Sequence, residues 1–82
     1  MKVERYISVY QKDTEKIVSE IRIDHLISFE KLKQVFRPYK NDPLLYMVYN
    51  ITQSRAKKLQ KIIEMKFDED NFIYQLDCYQ AQ

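Results

Sequence analysis

The sequence contains no glycine in its 82 residues. Glycine is the residue that lets a backbone approach a phosphate closely or adopt a positive φ angle without steric cost. Its absence excludes the phosphate-binding loop, the dinucleotide-binding fingerprint and the glycine-flanked nucleophile elbow. Turns that need positive φ must use asparagine or aspartate instead, and the candidates are Asp13, Asn41, Asn50, Asp70 and Asn71.

Cysteine and histidine each occur once, as Cys78 and His25. A single cysteine cannot form an internal disulfide, so nothing indicates an oxidising compartment. Cys78 falls on the predicted buried side of its strand, where thiols are generally unreactive. No C-x-x-C or H-x-x-x-H spacing predicts a metal site. We therefore expect a protein that is not an enzyme and that uses no cofactor or metal.

Long apolar runs and a strong charge imbalance are also lacking. No stretch approaches the roughly 20 apolar residues of a membrane span, and the first six residues carry charges where a signal peptide has its apolar core. Fourteen basic and twelve acidic residues give a formal charge of +2, which is too small to indicate nucleic-acid binding by itself. These features predict a soluble cytoplasmic protein of one domain, residues 1–82, without membrane contact.

Hydrophobic periodicity predicts a hairpin followed by a helix in the first half of the chain. Alternating apolar residues predict strands over 3–10 and 17–23, joined by a turn over 11–15. Ser28 is the predicted N-cap of a helix. That helix should end near Phe36, because the Arg-Pro sequence that follows disfavours helical backbone.

The second half of the chain is predicted to contain a strand, a helix and a final strand. Seven of the eight residues over 44–51 are apolar, which predicts a central strand buried on both faces. Thr52 is the predicted N-cap of a helix that runs to about Met65, and alternation over 72–79 predicts the last strand. The predicted fold is α+β and two-layered: a four-stranded, mainly antiparallel sheet with both helices on one face, in the order ββαβαβ.

This arrangement leaves one face of the sheet uncovered. The face under the helices is predicted to hold Ile7, Val9, Ile17, Ile21, Ile23, Leu45, Met47, Tyr49, Ile51, Phe72, Leu76 and Cys78. The open face then carries Tyr6, Tyr10, Val18, Leu44, Tyr46, Val48, Ile73 and Tyr79. An apolar patch of this kind on a monomer usually marks an interface, and tyrosine tolerates both water and burial. The eight residues therefore either bind a partner or simply shield their own sheet.

Two charged groups are alternative contact surfaces. The basic group lies on the predicted second helix and could meet phosphates or an acidic protein; it consists of Arg55, Lys57, Lys58 and Lys61. No aromatic residue is interleaved with it for base stacking, which makes nucleic acid the weakest candidate partner. The acidic group lacks the ligand spacing and turn glycine of a calcium-binding loop, which favours solvated loop acids; it consists of Asp68, Glu69 and Asp70.

Several stretches together resemble a set of short bacterial proteins. The pattern consists of Tyr6-Ile7-Ser8-Val9-Tyr10-x-Lys12-x-Thr14-Glu15, Ile17-Val18-x-Glu20-Ile21, Phe29-Glu30-x-Leu32-x-x-x-Phe36 and Asp42-Pro43-Leu44-x-Tyr46-x-Val48-Tyr49-x-Ile51-Thr52. Chains of this size and layout are similar to small immunity proteins, which neutralise toxin domains in competition between bacteria. The resemblance implies a non-enzymatic inhibitor that occludes a cognate toxin. A homodimeric structural or regulatory module that self-associates through the open face, and nucleic-acid binding through the second helix, are the alternatives.

Overall fold

A computed structural model describes residues 2–81, which form a four-stranded antiparallel sheet and two α-helices. The elements are β1 (Val3–Gln11), β2 (Ile17–Arg22), α1 (Phe29–Phe36), β3 (Tyr49–Asn50), α2 (Gln53–Gln60) and β4 (Phe72–Gln80). The strands are arranged in the order β2-β1-β4-β3, with the two long strands β1 and β4 paired at the centre. The predicted α+β fold and the element order ββαβαβ are confirmed.

Local capping signals determine where the two helices begin. The hydroxyl oxygen of Ser28 accepts a hydrogen bond from the Lys31 amide at 3.2 Å, and that of Thr52 accepts from the Arg55 amide at 3.3 Å. Both predicted N-caps are therefore confirmed. Helix α2, however, ends at Gln60 and not near Met65. The Leu59 carbonyl accepts bonds from both amides of the Ile62-Ile63 pair, which tightens the last turn.

The core lies between one face of the sheet and the two helices. Ile7 pairs with Leu76, which pairs in turn with Tyr49, so these three buried side chains occupy one row across three strands. Phe36 from α1 and Leu59 from α2 belong to the same buried cluster. Both helices therefore cover the same face, as predicted. Full burial of each large apolar side chain stabilises the fold by roughly 1.5–3 kcal/mol.

The predicted central strand is wrong in both position and length. Only Tyr49–Asn50 forms a strand, and it lies at the edge of the sheet beside β4. Residues 42–48 are irregular, and Leu45 adopts the left-handed conformation at φ 57°. The amides of Tyr46 and Met47 bind the Asp42 side chain instead of a neighbouring strand. An apolar run without periodicity gives no sign that a side chain will bind its backbone amides in place of a neighbouring strand.

Two residues assigned to the covered face are exposed. Ile17 lies beyond an irregularity in the pairing of β1 with β2, which sets Ile17 opposite Tyr10 and leaves it 50% exposed. This shift moves Ile17 to the side that the helices leave uncovered, because a change of register by one residue reverses the face. Met47 lies in the irregular segment and is 47% exposed.

The predicted positive-φ positions are also wrong. Among the described residues, positive φ occurs at Glu15 (59°), Arg37 (49°) and Leu45 (57°), and at no asparagine or aspartate. Arg37 adopts this conformation as the C-cap of α1, where its amide binds the Lys33 carbonyl. Arg37 therefore adopts this conformation because the helix ends there, although arginine does not tolerate it as well as asparagine or aspartate does.

Arg55 connects three elements. Its guanidinium donates to the Phe36 carbonyl at 2.9 Å and to the Asn50 carbonyl at 2.8 Å. It also lies over the rings of Phe36 and Tyr49, at 5.3 and 5.8 Å from their centroids. The side chain that was predicted as part of a charged contact surface therefore ties α2 to the end of α1 and to β3.

We expect Arg55→Ala to lower the free energy of unfolding by about 2–3 kcal/mol, because two charge-assisted hydrogen bonds and a cation–π contact are lost. Lys57→Ala is the matched control on the same helix, since Lys57 is exposed, and it should change the value by less than about 0.5 kcal/mol. Urea denaturation followed by circular dichroism measures both. Equal losses in the two variants would contradict the structural role of Arg55.

Candidate protein-binding surface

The connection between α1 and β3 exposes an unusual number of apolar side chains. We call residues 39–48 the apolar loop. Eleven large apolar residues are exposed in the described chain, and five of them lie here: Tyr39 (52%), Leu44 (47%), Tyr46 (41%), Met47 (47%) and Val48 (54%). Single exposed apolar residues are ordinary on a protein surface, whereas a group of this size in one short segment is typical of a contact site.

A buried carboxylate holds this loop in place. The Asp42 side chain accepts hydrogen bonds from the Tyr46 amide at 2.8 Å and the Met47 amide at 3.0 Å. It also accepts one from the Tyr49 hydroxyl at 2.7 Å. Asp42 is only 5% exposed, and Tyr49 is fully buried. The carboxylate therefore fastens the loop to a core residue of β3.

The environment of Asp42 determines its ionisation. Burial disfavours the charged carboxylate, but the hydrogen bonds from Tyr49, Tyr46 and Met47, together with the positive charge of Arg5, outweigh it and lower the pKa of Asp42 below its ordinary value of 3.8. Burial and the hydrogen bond to Asp42 raise the pKa of Tyr49 above 10.0. Near neutral pH the pair is therefore a carboxylate that accepts from a protonated phenol.

Further contacts fix the start and the middle of the apolar loop. The ring of Tyr39 stacks on that of Tyr49 with centroids 4.7 Å apart, and the Tyr39 amide donates to the Tyr49 hydroxyl at 3.0 Å. The Arg5 guanidinium donates to the Leu44 carbonyl at 2.6 Å, and the next side chain, Leu45, is fully buried. The exposed side chains are thus presented by a constrained backbone. Less conformational entropy is lost when such a surface binds a partner.

The apolar loop lies in a basic segment of the chain. Residues 29–66 contain nine basic and three acidic residues, whereas the rest of the chain contains five basic and nine acidic ones. Arg37, just before the loop, and Lys40, within it, are both exposed, whereas its one acid, Asp42, is buried and accepts hydrogen bonds from within the protein. The small net charge conceals this separation. An apolar surface with a cationic border is complementary to an apolar pocket with an acidic rim.

The eight residues predicted for the open face divide into two groups. One group lies on the face of β1, β2 and β4 away from the helices and comprises Tyr6, Tyr10, Val18, Ile73 and Tyr79. The other group belongs to the apolar loop and comprises Leu44, Tyr46 and Val48. Val48 directly precedes Tyr49, the first residue of β3, so the loop joins the sheet at this edge strand.

The open face also contains a buried polar pair that sequence reasoning missed. The Ser8 hydroxyl donates a hydrogen bond to the Asp77 carboxylate, and both residues are buried. The rings of Tyr6 and Tyr79 meet edge to face nearby, with centroids 5.6 Å apart. Partial burial and the charges of Asp77 and Glu20 raise the pKa of the Tyr79 hydroxyl. These two tyrosines therefore shelter a polar pair of their own sheet.

The chemistry available to the Ser8–Asp77 pair is limited. Among residues 2–81, no histidine is hydrogen-bonded to either side chain, so the hydroxyl has no neutral base beside it of the kind found in serine nucleophiles. The hydroxyl and the carboxylate are hydrogen-bonded to each other instead, as buried polar groups generally are. The hydrogen bond between them links β1 to β4 across the sheet.

Comparison with known families places this fold in a wider group. Residues 4–77 match the model of a family described as a domain of unknown function, DUF7683. The chain belongs to this family. The match extends from β1 into β4 and therefore includes the apolar loop and Asp42. Searches among curated proteins and among solved structures returned no match.

The charged groups of this DUF7683 domain lie in different places. Lys58 and Lys61 line a groove of about 330 Å³ between the helices, with Val35 and Ile62 contributing apolar surface. Lys57 is exposed on α2. Asp68, Glu69 and Asp70 lie in the loop before β4, where the Glu69 carbonyl accepts from the Lys12 ammonium at 3.2 Å and the Asp68 carboxylate accepts from the Asn71 amide group at 2.8 Å. The acidic loop therefore lies beside the β1–β2 turn and not beside the lysines.

Few groups of the DUF7683 domain suit metal or thiol chemistry. Within residues 2–81, His, Cys, Asp and Glu form no group of three or more that could hold a metal ion. Burial raises the pKa of the Cys78 thiol above 9.0, so the thiol is protonated near neutral pH. In the same part of the chain, none of the helices is long and apolar enough to cross a bilayer.

Replacing Asp42 with asparagine tests how the loop is held. Asp42→Asn removes the charge and turns an N–H group toward backbone donors, so we expect the free energy of unfolding at pH 7 to fall by about 2–3 kcal/mol. Because folding lowers the pKa of Asp42 below 3.8, the ionised carboxylate stabilises the fold above that value and this contribution disappears as the pH falls through the folded pKa. The difference between wild type and variant should therefore shrink between pH 5 and pH 2.

The measurement is urea denaturation of both proteins at several pH values. The difference between the two free energies of unfolding at each pH removes the effect of the other carboxyl groups, because both proteins contain them. Asp13→Asn, in the exposed β1–β2 turn, is the control and should show a difference near zero throughout. A wild-type advantage over Asp42→Asn that stayed constant or grew toward pH 2 would show that the charged carboxylate is not what holds the loop.

Proposed function

We propose that this DUF7683 domain is a non-enzymatic protein-binding module and that the apolar loop is its principal contact surface. The observation that carries the proposal is the combination of five exposed apolar side chains with a backbone that the buried Asp42 carboxylate fastens. Exposed apolar side chains are unfavourably hydrated in the free protein, and this cost is removed when a partner covers them. The partner offers an apolar pocket bordered by acidic groups, since the exposed Arg37 and Lys40 lie just before and within the loop.

The size of the molecule is adequate for such an interface. A standard interface buries about 800 Å² on each partner. The described chain exposes 5873 Å², so this area is roughly a seventh of its surface. A few buried aromatic anchors generally supply most of the binding energy, and Tyr39 and Tyr46 are the aromatic residues of the loop. Neighbouring Leu44, Met47 and Val48 would exclude water around them.

The finer hypothesis concerns the partner: a toxin domain that the protein occludes, as an immunity-type inhibitor does. It rests on the resemblance of the sequence pattern to small bacterial immunity proteins. Inhibition by occlusion requires a preformed complementary surface and no reactive group, which agrees with the protonated thiol of Cys78 and the internally satisfied Ser8–Asp77 pair. The toxin's binding site should be acidic at its rim, because the loop has a cationic border.

The open face is the competing contact surface. Tyr79, Val18 and Ile73 are exposed there, whereas part of the area of Tyr6 and Tyr79 is used to shelter Ser8 and Asp77. Self-association through this face is the second candidate. The exposed Val18 is the observation that favours it, because it lies on an edge strand that the helices do not cover.

Paired substitutions distinguish the two surfaces. Leu44→Ser with Met47→Ser removes apolar area from the loop, and Val18→Ser with Ile73→Ser removes comparable area from the open face. The first partner to test is the purified product of a toxin-like reading frame directly upstream of the gene. We expect the loop variant to bind it at least about 30-fold more weakly by calorimetry, which corresponds to about 2 kcal/mol, and the open-face variant to differ by less than about threefold.

A folding control and two contrary outcomes accompany this measurement. Urea denaturation should show that both double variants fold, since all four residues are exposed. Loss of binding in the open-face variant alone would show that the open face is the contact surface. Unchanged binding in both variants would overturn the proposal. The toxin hypothesis is tested separately: co-expression with the upstream product should restore growth, and an equal growth defect with and without this protein would contradict inhibition.

A further inference from the structure

Strand β2 has an outer edge that no described element covers. It is the first strand in the order β2-β1-β4-β3, and residues 17–20 are all exposed. The Ile23 amide binds the Arg5 carbonyl in the direction of β1. Backbone groups alternate in direction along an antiparallel pair, so those of Ser19 and Ile21 also point toward β1, whereas those of Glu20 and Arg22 point outward. An edge of this kind is a template for a further strand.

The outward-pointing residues carry opposite charges. In the part of the chain that the structure describes, the Glu20 carboxylate takes part in no hydrogen bond or ion pair. Arg22 contacts Glu4 at 3.3 Å and Asp24 at 2.9 Å, yet its side chain remains 46% exposed. Glu20 pairs with Ser8, and Arg22 with Tyr6, so both lie on the open face of the sheet. They are two residues apart on the same side of one edge strand.

We propose that this edge binds a second copy of the chain, with β2 antiparallel to β2 of the copy around a two-fold axis at Ile21. In this register, Glu20 lies opposite Arg22 of the second copy, and the symmetry forms the same pair twice. Each pair is of the hydrogen-bonded kind, in which two residues exchange both backbone bonds. Ile21 meets its own copy on the other face of the sheet.

Charge selects this register among the possible ones. A two-fold axis must set outward-pointing residues opposite each other, so it passes through a residue position, and an axis at Ile17 or Val18 would leave Arg22 without a partner within the strand. An axis at Glu20 or at Arg22 would set like charges opposite each other, which destabilises a strand pair. An axis at Ser19 would set Glu20 opposite Val18. The axis at Ile21 is the one that gives both charges a partner of opposite sign.

The pairing would join two sheets into one of eight strands. The two copies of β2 would be at the centre, and the two copies of β3 would be at the outer ends. The pairing residues lie in β2, and the apolar loop contributes none of them. This inference goes beyond the proposed function and does not depend on it, because the two surfaces share no residue.

Charge reversal tests the pairing and its register together. Glu20→Arg would set two like pairs across the axis, and so would Arg22→Glu, so each variant alone should dimerise at least about tenfold more weakly than wild type in sedimentation equilibrium. An equimolar mixture of the two variants should recover the dimer, because every pair across the axis is then of opposite charge. Glu15→Arg, which makes the same change in the exposed hairpin turn, is the control and should dimerise like wild type.

A second pair of variants tests the edge if Arg22→Glu fails to fold beside Glu4 and Asp24. Glu20→Pro removes an outward N–H while leaving the bonds to β1, and it should abolish the dimer with little change in circular dichroism. Ile21→Cys, made with Cys78→Ser, should form a disulfide-linked dimer on mild oxidation, whereas Ser19→Cys in the same background should not, since Ser19 lies opposite Ile23 of the copy.

Several results would overturn the proposal. Wild-type protein that sediments as a monomer up to about 1 mM has no edge pairing of useful strength. A dimer that survives both Glu20→Arg and Glu20→Pro, or a variant mixture that stays monomeric, excludes this register. A dimer that is instead lost with Ile73→Ser assigns self-association to the open face.

Discussion

The buried carboxylate of Asp42 is the interaction on which the exposed half of this molecule depends. By binding the amides of Tyr46 and Met47, it takes them away from the sheet, which is why β3 is only two residues long. By binding the hydroxyl of Tyr49, it fastens the same turn to the core. A carboxylate in this position must be satisfied by several donors, because burial otherwise favours its neutral form. One charged group thus determines where the sheet ends and which apolar side chains meet solvent.

The parts of the fold that could be predicted are those determined by neighbouring residues. Ser28 and Thr52 cap amides three positions away, so the signal and its effect lie within one helical turn. Alternation marks the strands β1 and β4 because each has one covered and one open face. The run over 44–51 has no period, and a buried strand and an irregular apolar loop therefore look alike in it. The deciding contact, from Asp42 to Tyr49, depends on how the core is built.

The candidate site was predicted in part, and for a reason that was itself incorrect. Leu44, Tyr46 and Val48 are exposed as expected, but they lie in a loop and not on a strand, and Met47 between them is exposed too. Alternation along an assumed strand cannot account for consecutive exposed residues. The Ser8–Asp77 pair was missed because its members are 69 positions apart, and strand order is needed to bring them together.

The separation of charge along the chain gives the two proposed surfaces different chemistry. The apolar loop lies within the basic segment 29–66, whereas the β2 edge carries one charge of each sign. If both surfaces act, a dimer through β2 displays two apolar loops, one on each half of a continuous sheet. Binding of one loop to a partner with repeated sites would then raise the effective concentration of the other, so affinity could increase without any new contact. Because the sheet sets the distance between the loops, such a gain would depend on how the sites on the partner are spaced.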